Sequence, residues 1–282
     1  MHEAGLGEMC GGAVETASHG VLVEHAGTVA RFPQQAPQFA AGGGLRTAVM
    51  LAGMLLRRIE AALLPSRCVF CGTATRDCAL CRDCHDDLPW LGPSCPRCAR
   101  PLGLALPPGA CCESCRLKTP PLQTVLAPLA YAFPIDAAIK ALKFRRQLHY
   151  GPVFVELLMT LRAGLPADID AVLPVPLHWR RRWRRGFNQA EELARPVARG
   201  LDVPMIGSVH RRRATAFQSG LSARERAENL RAAFGVRGKL DFCHVLIVDD
   251  VITSGATLRQ LAMALQRAGV RKVSGLAIAR AG

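Results

Sequence analysis

The run Val245-Leu-Ile-Val-Asp-Asp-Val-Ile-Thr-Ser-Gly-Ala-Thr257 places two adjacent carboxylates and a loop of small, hydroxyl-bearing residues directly behind an apolar stretch. Val245 to Val248 reads as a parallel strand covered on both faces, because such strands are continuous apolar runs rather than alternating ones. Asp249 and Asp250 then fall at its carboxyl end, where open α/β sheets bind ligands. Residues 253–257 lead into a helix with periodic Leu258, Leu261, Ala262 and Leu265 and an expected stop at Gly269. The first turn of that helix offers backbone N–H groups and the positive end of the helix dipole to a phosphate, with the hydroxyls of Thr253, Ser254 and Thr257 as further donors. Carboxylates only accept hydrogen bonds and cannot cradle phosphate, so Asp249 and Asp250 need another partner. Vicinal sugar hydroxyls suit them, directly or through Mg²⁺. The stretch thus has the chemistry of a sugar-phosphate site. An ordinary βα turn would account for one acid and the glycine, but not for the second acid and the three hydroxyls.

Around this segment the chain alternates strand and helix patterns. Leu126 to Phe133 reads as a strand, Ile135 to Phe144 as a helix, and Ala171 to Val175 as a strand closed by Pro176. Asn188, with Glu191 at the capping-box position, opens a helix; Val203 to Ile206 is a short strand; Ser222 with Glu225 opens a helix to about Phe234. Lys272 to Ala279 is the last strand. The expected class is α/β, with a mostly parallel sheet flanked by helices.

At 282 residues with 50% hydrophobic content the chain can bury a full core in one or two domains. Its longest apolar stretch, Thr47 to Leu56, is too short to span a membrane and is followed by Arg57-Arg58, so residues 46–66 are expected to form an amphipathic helix. Residues 1–45 lack a secretory pattern and read as a disordered leader, and a cytoplasmic location is expected. Of twelve cysteines, eight form four Cys-x-x-Cys pairs: Cys68/Cys71, Cys81/Cys84, Cys95/Cys98 and Cys112/Cys115. Without a secretion signal such pairs read as zinc knuckles, two of which complete one tetrahedral shell, so two structural Zn²⁺ are expected within 67–118. Which knuckles share an ion is open at this point. Cys78 and Cys111 fall outside the regular pairs, although Cys111 could replace Cys112.

The formal charge is +14, nearer +10 once eight thiolates hold two Zn²⁺. Between Pro174 and Leu240 fifteen Lys or Arg stand against five Asp or Glu, largely in Arg180–Arg185 and Arg211–Arg213. Arginine forks suit phosphates, so a polyanion partner is implied, either a pyrophosphate or a nucleic-acid backbone. Trp179 and Trp183, four apart, share one helical face. An exposed tryptophan pair is unusual, so the core side of a helix is expected before a base-stacking platform.

The thirteen-residue run resembles the 5-phosphoribosyl 1-pyrophosphate (PRPP) motif of type I phosphoribosyltransferases. Taken with the four knuckles, Leu142-Lys143-Phe144, Leu173-Pro-Val-Pro176, Arg185-Gly-Phe-Asn-Gln189 and Gln218-Ser-Gly-Leu-Ser222, the chain from about 50 to 281 resembles the ComF/GntX family of bacteria. The resemblance implies a zinc-binding module followed by a type I phosphoribosyltransferase fold over 119–282, and members tied to DNA uptake in transformation. By position it implies that Asp249, Asp250, Thr253, Ser254, Gly255, Ala256 and Thr257 bind PRPP with Mg²⁺. It puts the pyrophosphate loop at Pro176, Leu177 and His178, and the mobile loop over the leaving group at Arg211, Arg213 and Gln218. This pyrophosphate loop has no lysine, so Arg180 or Arg185 has to supply its charge. With His2 at position 2, no N-terminal nucleophilic cysteine of the glutamine-using kind is expected. Three functions stay open: phosphoribosyl transfer to an acceptor the residues do not name, PRPP sensing without turnover by a factor that binds single-stranded DNA and works with DNA-uptake proteins, or nucleic-acid binding by the zinc ribbon with the α/β domain as a scaffold.

Overall fold

The computed structural model describes residues 66–75, 78–103, 107, 109–211 and 233–282. The leader expected over 1–45 lies outside them, as does the helix expected over 46–66 except for Ser66, which is in a strand.

The amino-terminal part is built on cysteine loops rather than on regular elements. Ser66–Arg67 (β1) pairs antiparallel with Ala74–Thr75 (β2), and two five-residue helices follow, Arg82–Asp86 (α1) and Glu113–Leu117 (α2). Next come Val125–Leu126 (β3), Leu129–Ala130 (β4), Ile135–Arg145 (α3), Tyr150–Met159 (α4), Ala171–Pro174 (β5), Trp179–Arg185 (α5) and Gln189–Leu201 (α6). Val209–Arg211 (β6) and Phe234–Val236 (β7) form an antiparallel pair. His244–Ile252 (β8), Ala256–Arg267 (α7) and Lys272–Arg280 (β9) complete the chain.

The central sheet runs β3–β9–β8–β5 with β4 also on β9, and every pairing in it is parallel. Alternation along β8 shows that both faces are covered. Val245 and Ile247 join Leu258, Leu261 and Leu265 of α7 in one apolar cluster. Leu246 and Val248 join Ile139 and Leu142 of α3, Phe154 and Leu157 of α4, and Leu193 and Val197 of α6 in the other. The continuous apolar run of β8 is thus the signature of a doubly covered parallel strand.

Three local expectations are corrected. The strand expected over Leu126 to Phe133 is split at Ala127-Pro128, since proline has no N–H for the ladder. Val203 to Ile206 makes only a single parallel bridge, Met205 to Val172, with Pro204 interrupting it. Phe234, the expected end of a helix, lies in β7 and Ala233 before it in a bend; residues 222–232 of that helix are outside the described residues. The cysteine module docks on the open edge made by β3 and β4: Leu91 N donates to Pro128 O at 3.0 Å, Ala130 N to Pro89 O at 2.7 Å and Val125 N to Pro96 O at 2.8 Å. An otherwise bare sheet edge is covered in this way.

Candidate functional site: an acidic pair beside a glycine turn, and two cysteine clusters

Asp249 and Asp250 lie within β8 rather than beyond it, because the neighbouring β9 continues and pairs Arg280 with Ile252. Thr253 and Ser254 are exposed. Gly255 has φ +69°, a left-handed conformation that favours glycine, and from it α7 starts with Ser254 Oγ accepting from Ala256 N at 3.3 Å. The neighbouring strand brings the second loop to the same level. Val175 N donates to Val248 O at 2.9 Å, so Pro176, Leu177 and His178 leave the sheet beside the acidic pair.

That second loop is held by two caps. His178, buried, accepts from Arg180 N through Nδ1 at 3.3 Å and starts α5. Asn188, also buried, accepts from Ala190 N at 3.2 Å and donates through Nδ2 to Val175 O at 3.2 Å, fastening the start of α6 to the end of β5. Between them Gly186 sits at φ +81°, where a Cβ would meet Arg146 Nη2 at 2.0 Å. The left-handed backbone favours glycine there, and Arg146 lies over it, donating to Arg185 O from Nε at 3.0 Å and Nη2 at 2.9 Å.

Lys143, in the last turn of α3, was not singled out as a site residue from sequence. Its Nζ lies 2.7 Å from Asp250 Oδ2, with both side chains largely buried. Its signal was only its place in the Leu142-Lys143-Phe144 motif. Of the expected basic residues, Arg180 lies 5.2 Å from the Trp179 ring centroid, and Arg185 lies 4.9 Å from that of Phe144. Arg211, in β6, lies 5.6 Å from the Phe234 ring and adds positive field at Asp249. Arg213 and Gln218 are outside the described residues. Trp179 and Trp183 are 64% and 87% exposed, so they do not form the core side of α5.

Burial of its carboxyl, and then the adjacent charge of Asp250, push Asp249 up to about 8, against the smaller pull of Asp250 N–H, Lys143 and Arg211. A carboxyl raised in the folded state stabilises the fold fully below its unfolded value and loses that contribution as pH rises through about 8. The ligand-free protein is therefore expected to lose stability between about pH 4 and pH 8 through this group. Asp249→Asn should flatten that part of a melting-temperature profile. A profile unchanged by the substitution would show that Asp249 is ionised like a surface carboxylate.

The cysteine sulfurs form two clusters, Cys68/Cys71/Cys81/Cys84 and Cys95/Cys98/Cys112/Cys115, within each of which the sulfurs lie within 4.8 Å of one another. Consecutive knuckles therefore pair. The distances Cys71–Cys81 and Cys98–Cys112 are both 3.6 Å between sulfurs. A tetrahedron with Zn–S bonds of about 2.3 Å has edges of roughly 3.8 Å, so the donor set fits the ion. Burial pushes the Cys68 thiol up, but the backbone around Cys81, Cys71 and Phe70 outweighs it and brings it to about 6; Cys95 is brought to about 7 in the same way. Burial and the other sulfurs drive Cys84 and Cys115 upward. Four thiolates cannot share so small a volume without a cation. Cys78 and Cys111 lie outside both clusters.

A second polar group sits at the opposite end of the sheet. His244 is fully buried, with Nδ1 2.7 Å from Asp168 Oδ1 and Nε2 2.9 Å from Ser274 Oγ. The connectivity is that of a hydrolytic triad, but Ser274 is fully buried and no substrate can reach it. It is a core network, closed by Lys272 Nζ 2.8 Å from Asp168.

Residues 59–123 match the double zinc ribbon domain, and residues 188–281 match the phosphoribosyl transferase domain. The two cysteine clusters are accordingly structural zinc sites of a double ribbon. The DNA utilization protein YhgH of Salmonella typhi is 38% identical over 186 residues, which cover 64% of this chain and 80% of that protein. The protein of the same name in Escherichia coli is 38% identical over 185 residues, with the same coverage. Competence protein F of Haemophilus influenzae is 33% identical over 182 residues, covering 60% of this chain and 78% of the relative. Among solved structures, one described as the allosteric regulatory enzyme of purine biosynthesis is 19% identical with a TM-score of 0.31; the match covers 45% of this chain and 25% of that one.

Proposed function

Since this chain belongs to the ComF/GntX family, we propose that residues 119–282 form a phosphoribosyltransferase-type domain that binds PRPP and transfers its phosphoribosyl group, with residues 67–118 as its zinc ribbon. One observation carries this reading: an acidic pair and a left-handed glycine opening a helix stand at one strand end, level with the loop leaving the neighbouring strand. Residues 253–257 would hold the 5-phosphate on backbone N–H groups and hydroxyls, and Asp249 and Asp250 the ribose hydroxyls. Pro176, Leu177 and His178 would line the pyrophosphate. Mg²⁺ entering with PRPP would be held near the two carboxylates and supply charge neutralisation. Lys143 holds Asp250 in place through their ion pair at 2.7 Å. Displacement at ribose C1 breaks the bond to pyrophosphate and builds positive charge on the sugar, while the leaving oxygens gain negative charge. Arg180, Arg185 and Arg211 are the cations this reading assigns to meet it.

Turnover is tested with radiolabelled PRPP and a panel of bases and amines. Transfer predicts pyrophosphate release that depends on an acceptor. Binding without release would favour the sensing reading.

The exposure of Trp179 and Trp183 on an arginine-rich helix favours a second activity, binding of single-stranded DNA without sequence preference. Its affinity should fall steeply with salt, with a logarithmic slope of about 0.7 per phosphate contacted. Trp183→Ala should weaken binding by about 1–3 kcal/mol while leaving the salt slope unchanged, because stacking releases no counterions. A flat salt response would leave the basic helix as a clamp for pyrophosphate alone.

A further inference from the structure

Arg280, in the last position of β9, is 3% exposed, and it joins parts of the molecule that are distant in sequence. Its Nε donates to the backbone oxygen of Cys98 at 3.2 Å, and its Nη1 donates to Ile252 O at 3.1 Å and also to Thr253 O and Ala281 O. Cys98 belongs to the second cysteine cluster. Ile252 and Thr253 are the entry to the loop over 253–257. Cys98, Ile252, Gly255, Leu258 and Arg259 line one crevice at this joint.

Packing alone does not call for a guanidinium here. A buried cation needs carbonyl partners for its several N–H groups and a source of negative charge, and its removal from water is otherwise unfavourable. The carbonyls of the loop and of Cys98 supply the first. A four-thiolate shell around Zn²⁺ carries a net charge of minus two and supplies the second. One side chain thus bonds the backbone of both sites.

We propose that Arg280 is a positioning residue that couples the second zinc site to the phosphate loop, so that filling one site orders the other. This rests on the PRPP reading only for the identity of the ligand; the coupling itself is a property of the ligand-free protein. Coupling of this kind is reciprocal and typically amounts to about 5–150-fold.

The test is hydrogen exchange by mass spectrometry on the zinc-loaded full chain, together with release of zinc to a chromophoric chelator. Arg280→Met keeps bulk and removes the donors. It should raise exchange at residues 252–257 and speed release of one of the two zinc ions, each about tenfold, with protection at 245–248 retained. Cys84→Ser, in the first cluster, should leave exchange at 252–257 as in the wild type, whereas Cys115→Ser should raise it with protection at 245–248 retained. If Arg280→Met loses protection at 245–248 as well, Arg280→Lys, which keeps the charge without the fork, is read in its place with the same expectation. Wild-type exchange and zinc release in that variant, or an equal rise in Cys84→Ser, would overturn the proposal. PRPP added to the wild type should slow release of the same zinc ion. A wild type that binds no PRPP would remove the ligand assignment, while the ligand-free measurements would still decide the coupling.

Discussion

Above about pH 8, where Asp249 is ionised, Asp249→Asn combined with Asp250→Asn is expected to lower PRPP affinity by about a hundredfold or more, because each lost charged hydrogen bond costs about 1.5–3 kcal/mol. Equilibrium binding of labelled PRPP to wild type and variant reads it directly. The fold should survive, since the two substitutions act on stability in opposite directions. Asp249→Asn removes a carboxyl whose charge is disfavoured by burial and by Asp250. Asp250→Asn takes away the partner of Lys143 Nζ at 2.7 Å, leaving a largely buried ammonium with a weaker acceptor. Zinc content should stay at two ions, because neither residue belongs to the cysteine clusters. Retained affinity in the double variant would show that PRPP, if bound, sits elsewhere.

Cys98→Ser should reduce bound zinc from two ions to one and cost more stability than any single substitution in the α/β core. Structural zinc in small ribbons contributes about 10–16 kcal/mol of folding energy, comparable to the 5–15 kcal/mol of a whole domain. Within the segment itself regular structure contributes little: α2 buries no residue, and the chain around the second cluster is mostly loop. Its loss should also uncover the β3 edge, where Val125 N donates to Pro96 O, and promote association through the exposed strand. Cys111→Ser is the companion measurement and should keep both ions. One ion lost from Cys111→Ser and none from Cys98→Ser would exchange the ligand assignments.

Much of this architecture was legible because it is local. The run from Val245 to Thr257 contains strand, acids, glycine turn and helix start in sequence, and the apolar face of α7 follows from Leu258, Leu261 and Leu265. The four knuckles were visible for the same reason, but identical spacings could not say which of them share an ion; the fold answers that by pairing neighbours. Lys143 escaped because its role depends on α3 packing against β8, more than a hundred residues away in the chain. Helix α4 left a signal in Val153, Phe154, Leu157 and Leu158, spaced by three and four, that Gly151-Pro152 at its start obscured. The tryptophans of α5 were expected inside because large aromatics usually are. A seven-residue helix lying outside the central sheet has too little core to cover them. Arg280 reads in sequence as a terminal charge on an apolar strand, and only the approach of Cys98 and Thr253 gives it a purpose.

The central claim is that the acidic pair and the glycine turn form one PRPP site. Calorimetric titration of the zinc-loaded protein with PRPP, with and without Mg²⁺, tests it most directly. The account predicts saturable binding near one PRPP per chain, strengthened by Mg²⁺ and abolished or greatly weakened in the Asp249→Asn, Asp250→Asn protein. Absence of binding to the wild type under both conditions, with two zinc ions in place, would contradict it.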